Sequence, residues 1–203
     1  MIRPIREHKK MSERQETALS LDNEVFIQCA NYIEKILFQY QTIVGADYQG
    51  YLNHCKRVAV CCLILAQDDC QQTCDKIAIA AAFHDIGIWT AKTIDYIQPS
   101  VQQMRQYLEI NQLSDWQNEL TLMITEHHKL TATECDEYPL VEHFRKADYA
   151  DFSLGLLRSN IPFQTFKYLT QQYPNCGFHK NLMFLGFKHF LHKPWSPLPM
   201  FKW

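Results

Sequence analysis

Glycine is scarce in this chain, six in 203 residues, and no Ser/Gly-rich stretch separates one part from another. Without such a connector a second domain is not expected. No apolar run reaches the roughly 18 residues that mark a membrane span, and the N-terminus lacks the apolar segment of a secretory signal. An excess of one charge is missing too. Twenty Lys and Arg against 22 Asp and Glu leave a formal net charge of -2, so no broad basic field points to nucleic acid as a bulk partner. A compact anion held by a few local cations stays compatible with that balance. Period-two alternation is absent as well, which removes the usual mark of a half-buried strand.

What is present is apolar and helical. At 47% hydrophobic residues the chain can bury a sizeable core. Helical periodicity predicts helices over about 23–40, 48–66, 74–86, 98–112, 115–129, 138–156, 162–173 and 178–192. The expected fold class is therefore all-α, a single-domain helical bundle over 19–193. Residues 1–18 are polar and aperiodic and read as a mobile leader. Residues 194–203 hold too many prolines to continue a helix and read as an aromatic tail packed on the domain, with Trp195 and Trp203 in contact. The aromatic segment from Phe178 through Phe184, Phe187 and Phe190 is expected to pack on the core. Eight cysteines, mostly at helical apolar positions, read as reduced thiols of a cytoplasmic protein. Cys70 and Cys74 have no second pair with which to complete a zinc site.

Four residues stand out against this apolar background. His84 and Asp85 close the helix-favouring run from Ile77 to Phe83, and Gly87 follows, where a left-handed glycine would end the helix. An imidazole and a carboxylate side by side at the end of a buried helix need partners, since an unpaired buried carboxylate costs several kcal/mol. His54 lies at the border of an apolar stripe formed by Leu52, Cys55, Ala59, Cys62 and Leu63. Asp148 follows Val141, Phe144 and Ala147 on a further helix, on or next to its buried face. Each has an ordinary reading by itself: a boundary histidine, a helix-end pair, an aspartate paired with Arg145 or Lys146. Together they make a hard and borderline ligand set for one divalent cation, and Mn, Fe, Co, Ni, Zn and Mg all suit it.

A lone His54, then Ala81-Ala82-Phe83-His84-Asp85-Ile86-Gly87, then Lys146-Ala147-Asp148 resembles the HD-domain metal-dependent phosphohydrolase superfamily. The strings His54 to Val58 and Ile124 to Lys129 resemble its first-ligand helix and its double-histidine helix, so the likeness spans roughly residues 45–155. It implies a bundle of the HD-domain type with one divalent metal ion held by His54, His84, Asp85 and Asp148. Asp151 is a nearby competitor to Asp148, but Asp148 matches the family position after Lys-Ala, and Asp151 is expected to cap, pair or support the site. The implied substrate is a small phosphate ester, most often a nucleotide.

Between Asp85 and Glu126 there is no histidine, which argues against the full second metal site of the phosphodiesterase-like members, and the Gly-Tyr-Pro string of cyclic-dinucleotide phosphodiesterases is absent. The expected chemistry is hydrolysis by a metal-activated water, with Asp85 accepting its proton and His127 or His128 acting on the leaving oxygen. Lys129 and Arg57 are the candidate phosphate contacts. His8, His143, His179, His189 and His192 are taken as surface or packing residues. An iron oxygenase of the same fold and a non-catalytic metal- or ligand-binding module are the alternatives. A homo-oligomer remains open.

Overall fold

The structure, a computed structural model, describes residues 23–192 and residue 195. The expected leader, 1–18, lies outside these residues, and so does the expected tail, 194–203, apart from Trp195, whose side chain is 97% exposed. Packing of that tryptophan on the domain is therefore not observed. The described chain runs through α1 (Glu24–Phe38), α2 (Gln41–Val44), α3 (Tyr48–Ala66), α4 (Gln71–Phe83), α5 (Gly87–Thr90), α6 (Ile97–Ile110), α7 (Gln117–Glu126), α8 (Leu140–Phe152), α9 (Phe163–Gln172) and α10 (Phe178–His192). No β-strand appears among the described residues, and the molecule is an all-α bundle. No described helix is long and apolar enough to cross a membrane.

Local chemistry sets the helix ends. Asn23 caps α1, its side-chain oxygen accepting the Val25 N–H at 3.0 Å. Gln67 turns left-handed at φ 53° to stop α3, returning its N–H to Leu63 O. Pro139 and Pro162 precede α8 and α9, where the N–H they lack would have had no helical partner. Several expected helices come out shorter, α7 and α8 among them. α7 stops at Glu126, leaving His127 and His128 in a turn. α8 stops at Phe152 because Leu154 and Gly155 take positive φ and the Gly155 N–H reaches back to Ala150 O at 2.8 Å.

The middle of the bundle is α3, flanked by α1, α4 and α8. It does not show one apolar stripe to the core with a polar back. Every residue from Gly50 to Leu63 is buried, including Asn53, His54, Lys56 and Arg57. A helix wrapped on all sides must satisfy its polar side chains inside the protein. α4 packs beside it with an unbroken buried run from Ile77 to Phe83, where Ala78, Ala80, Ala81 and Ala82 keep the neighbouring helices close.

α10 departs from expectation. Its first residue, Phe178, is buried over Gly50, where an added Cβ would sit 3.1 Å from Asn175 O and from Phe178 Cβ. Leu182 and Leu185 touch the small cluster of Ile88, Tyr96 and Ile97. Met183, Phe184, Phe187 and Phe190 are exposed, so among its described side chains the helix meets the core through its first turn and the edge carrying Leu182 and Leu185.

Candidate metal centre

Four backbone segments deliver the site. On α3, His54 and Arg57 are three residues apart, and on α8 so are Asp148 and Asp151; residues at that spacing share a helix face. Because α8 lies along α3, the two pairs meet across one interface. The other two segments are helix ends. His84 follows α4 and His127 follows α7, and each directs Nδ1 to the carbonyl three residues back, Ala81 O at 2.8 Å and Ile124 O at 2.6 Å. Those carbonyls belong to last turns, where no further helical N–H is available. The same bond therefore finishes the helix and aims the opposite nitrogen, Nε2, away from it.

The four expected ligand side chains lie close together. His54 Nε2 and His84 Nε2 are 2.9 Å apart, and Asp148 Oδ1 lies 3.5 and 3.7 Å from them. Asp85 Oδ2 is 3.4 Å from His84 Nε2 and 3.8 Å from His54 Nε2. His127 joins the group, its Nε2 3.5 Å from Asp85 Oδ1, and His128 Nδ1 stands 3.8 Å from Asp148 Oδ2. Ligands about 2.1 Å from a shared ion are separated by about 3.0 to 3.5 Å along the edges of an octahedron or tetrahedron, close to the spacings here. Three overlapping buried groups could hold an ion: His54, His84 and Asp148; His84, Asp85 and His127; His127, His128 and Asp148.

Proton placement strengthens the fit. The Ala81 and Ile124 carbonyls only accept, so His84 and His127 carry their protons on Nδ1. The Asp151 carboxylate takes the Nδ1 proton of His54 at 2.7 Å in the same way. Three imidazoles then turn Nε2 toward a small buried volume beside two carboxylates, a donor set that a cation would suit. Asp85 Oδ1 and His127 Nε2 are both fully buried with no hydrogen-bond partner. Protein cations are not the answer: among the described residues the ion-pair partners of Asp85 and Asp148 are all histidines, while Arg145 and Lys146 both go to Glu142.

Burial and mutual charge set the titration of the cluster. Burial drives His84 down to about 3, keeping it neutral, and pushes His128 well below its usual range. Burial alone would raise Asp85, but His84, then His127 and His54, hold its carboxyl below the usual range. Asp148 goes the other way, pushed by burial to about 6 despite the pull of His127 and His54. A metal must displace that proton. Affinity for a divalent ion is therefore expected to fall severalfold from about pH 7.5 to about pH 5.5. Equal affinities in a competition titration at the two pH values would remove Asp148 from the ligand set.

The remaining candidates divide. Arg57 is not a phosphate contact: it is 1% exposed, forks onto both Asp151 oxygens and gives Nη1 to Tyr173 O at 2.6 Å. Lys129 is partly exposed, with Glu126 3.9 Å away and its own carbonyl held by Arg145. His127 is wholly buried among the ligand atoms, so its ring is placed for coordination more than for meeting a leaving group. His128 is the more exposed of the two, and its Nε2 meets the Tyr96 hydroxyl at 2.6 Å.

Two residues at the site escaped the sequence reading. Tyr96 is 3% exposed and abuts His128. His179, taken as a surface or packing residue, has Nε2 3.6 Å from Asp151 Oδ2 and its ring edge-on to His54. Of the other histidines outside the site, His8 and the side chains of His189 and His192 lie outside what the structure describes. No family model matches the chain, and neither does any curated protein or solved structure.

Proposed function

We propose that this protein is an HD-type metal-dependent phosphohydrolase that hydrolyses a small phosphate ester, with a nucleotide or related metabolite as the substrate class. The observation that supports the reading is the gathering of His54, His84, Asp85 and Asp148 into overlapping buried groups that could hold an ion, with the Nε2 atoms of His54 and His84 2.9 Å apart, Asp148 Oδ1 3.5 Å from the first and Asp85 Oδ2 3.4 Å from the second. The ordered His54, His84-Asp85 and Asp148 pattern supports the family assignment, and the all-α bundle agrees with it.

A divalent ion in this ligand set would supply an electrophile for a phosphoryl oxygen and make an attacking water more acidic. The chain's own residues do the rest. In this reading Asp85 Oδ1, which has no hydrogen-bond partner, accepts the water's proton. In the same reading His128, kept neutral by burial, and the Tyr96 hydroxyl bonded to its Nε2 meet the leaving oxygen as hydrogen-bonding groups. Lys129, next in the chain and partly exposed, offsets charge spreading over the phosphoryl oxygens.

The test is a metal-loaded preparation, one divalent ion at a time, assayed against nucleotides and simple phosphate mono- and diesters. Phosphate release that disappears in Asp85→Ala is expected. Lys129→Ala should mainly raise KM, because a contact made equally in ground and transition states changes binding alone. No release from any substrate with any of the metals would overturn the reading. His127 and His128 add two imidazoles beside the four-ligand set, so oxygen uptake with ferrous iron is the outcome that would favour an oxygenase instead.

A further inference from the structure

Asp151 is an aspartate that the proposed chemistry does not use, yet it is 1% exposed and accepts three buried side-chain hydrogen bonds. Its Oδ2 takes the His54 Nδ1 proton at 2.7 Å and an Arg57 Nη2 proton at 2.7 Å. Its Oδ1 takes the Arg57 Nε proton. His179 stands nearby, its Nε2 3.6 Å from Asp151 Oδ2. Arg57 is itself anchored, its remaining arm held by Tyr173 O at 2.6 Å, and the neighbouring Asn53 amide grips Pro174 O at 2.7 Å. Above the ring of His54, Phe178 stacks at a centroid distance of 4.5 Å and an interplanar angle of 25°.

We propose that Asp151, clamped by Arg57, is a positioning residue that fixes the orientation and tautomer of His54, so that its Nε2 lone pair is presented to the metal. The inference rests on the metal reading of the site above. His84 and His127 take their tautomers from carbonyls of their own helix ends, which any chain ending there would offer. His54 lies within α3, where the carbonyl of residue 50 is already engaged by the helix, so its orienting acceptor has to come from another element. α8 provides it, three residues after the ligand Asp148, on the same face. A carboxylate behind a ligating imidazole also raises the basicity of the ring, and loss of such a partner typically weakens metal affinity about 10- to 100-fold.

The informative substitution is Asp151→Asn. The amide keeps the shape and can still accept from His54 at one oxygen, but its NH2 then faces an Arg57 N–H, donor against donor. Manganese titration of the metal-free proteins, with the free ion followed by electron paramagnetic resonance, should show affinity about 10- to 100-fold weaker in Asp151→Asn. Circular dichroism monitors whether the variant keeps its helices. The second measurement needs no variant at that position. In the metal-free wild type, long-range nitrogen–proton NMR, with the His54 signals identified by their loss in His54→Gln, should show the proton on Nδ1. Wild-type protein that binds no manganese would overturn the metal reading and this inference with it. Tight wild-type binding with equal affinity in a folded Asp151→Asn would overturn the positioning role alone, and so would a His54 proton found on Nε2, whether or not the variant folds.

Discussion

Manganese added to the metal-stripped protein is expected to stabilise it by about 4 kcal/mol when free metal stands at about 1,000 times Kd. For a chain of this size each kcal/mol moves the thermal midpoint by about 2–4 °C, so the rise should be about 8–16 °C. The physical cause lies in the folded state. The Nε2 atoms of His54, His84 and His127 and the carboxylates of Asp85 and Asp148 crowd a buried volume in which, among the described residues, no Lys or Arg pairs with them, and an ion would relieve the groups that bind it. Manganese is preferable to zinc here. The unfolded chain exposes eight cysteine thiols, soft ligands that would bind zinc and cancel part of the shift, whereas manganese favours oxygen and imidazole. In Asp85→Ala the shift should vanish while the circular dichroism remains helical. An identical wild-type midpoint with and without metal would mean that the cluster is satisfied by protons alone.

The parts of this site that were legible in the sequence are those whose signal is local. His84-Asp85 at the end of a buried alanine run announces two polar groups in need of a partner, and the structure buries both. The long helices were legible by periodicity; α2 and α5, of four residues each, are too short to show any. The role of Arg57 was not legible. A cation three residues after His54 suggests a phosphate contact until its partner is known, and that partner, Asp151, is 94 positions away. One signal pointed there: the spacing His54 to Arg57 is repeated by Asp148 to Asp151, so two packed helices can exchange two contacts. His179 carried no such signal. It reaches Asp151 because the 173–179 segment is tied to α3 by Arg57 and Asn53, contacts spanning more than a hundred residues of chain. The burial of α3 on all sides was hidden for a related reason, since the helices that cover its polar face come from both earlier and later in the sequence.

Gly87→Ala is expected to destabilise the protein by about 3 kcal/mol, the upper end of the usual overpacking cost, lowering the thermal midpoint by about 6–12 °C. From sequence, Gly87 looks like a left-handed helix stop. It is instead the first residue of α5, and it is absent from the residues with positive φ. What it supplies is lack of bulk. An added Cβ would lie 2.4 Å from Tyr96 O and 2.9 Å from both Ser100 N and Ser100 Oγ. Tyr96 O and Ser100 N are backbone atoms, which no side-chain rotation can clear. Tyr96 O accepts the Ser100 N–H at 2.8 Å in the first turn of α6, and Ser100 Oγ accepts the Gly87 N–H at 2.9 Å. To make room, the start of α6 has to retreat from the segment that carries Asp85. The retreat would carry Tyr96 with it, and its hydroxyl, 2.6 Å from His128 Nε2, would leave that histidine without its buried partner. The variant should therefore lose turnover as well as stability, with kcat falling more than KM rises, because Lys129 lies on a different element from the displaced turn. A Gly87→Ala protein with the wild-type midpoint and wild-type kcat on a verified substrate would show that α5 and α6 can part without disturbing the site.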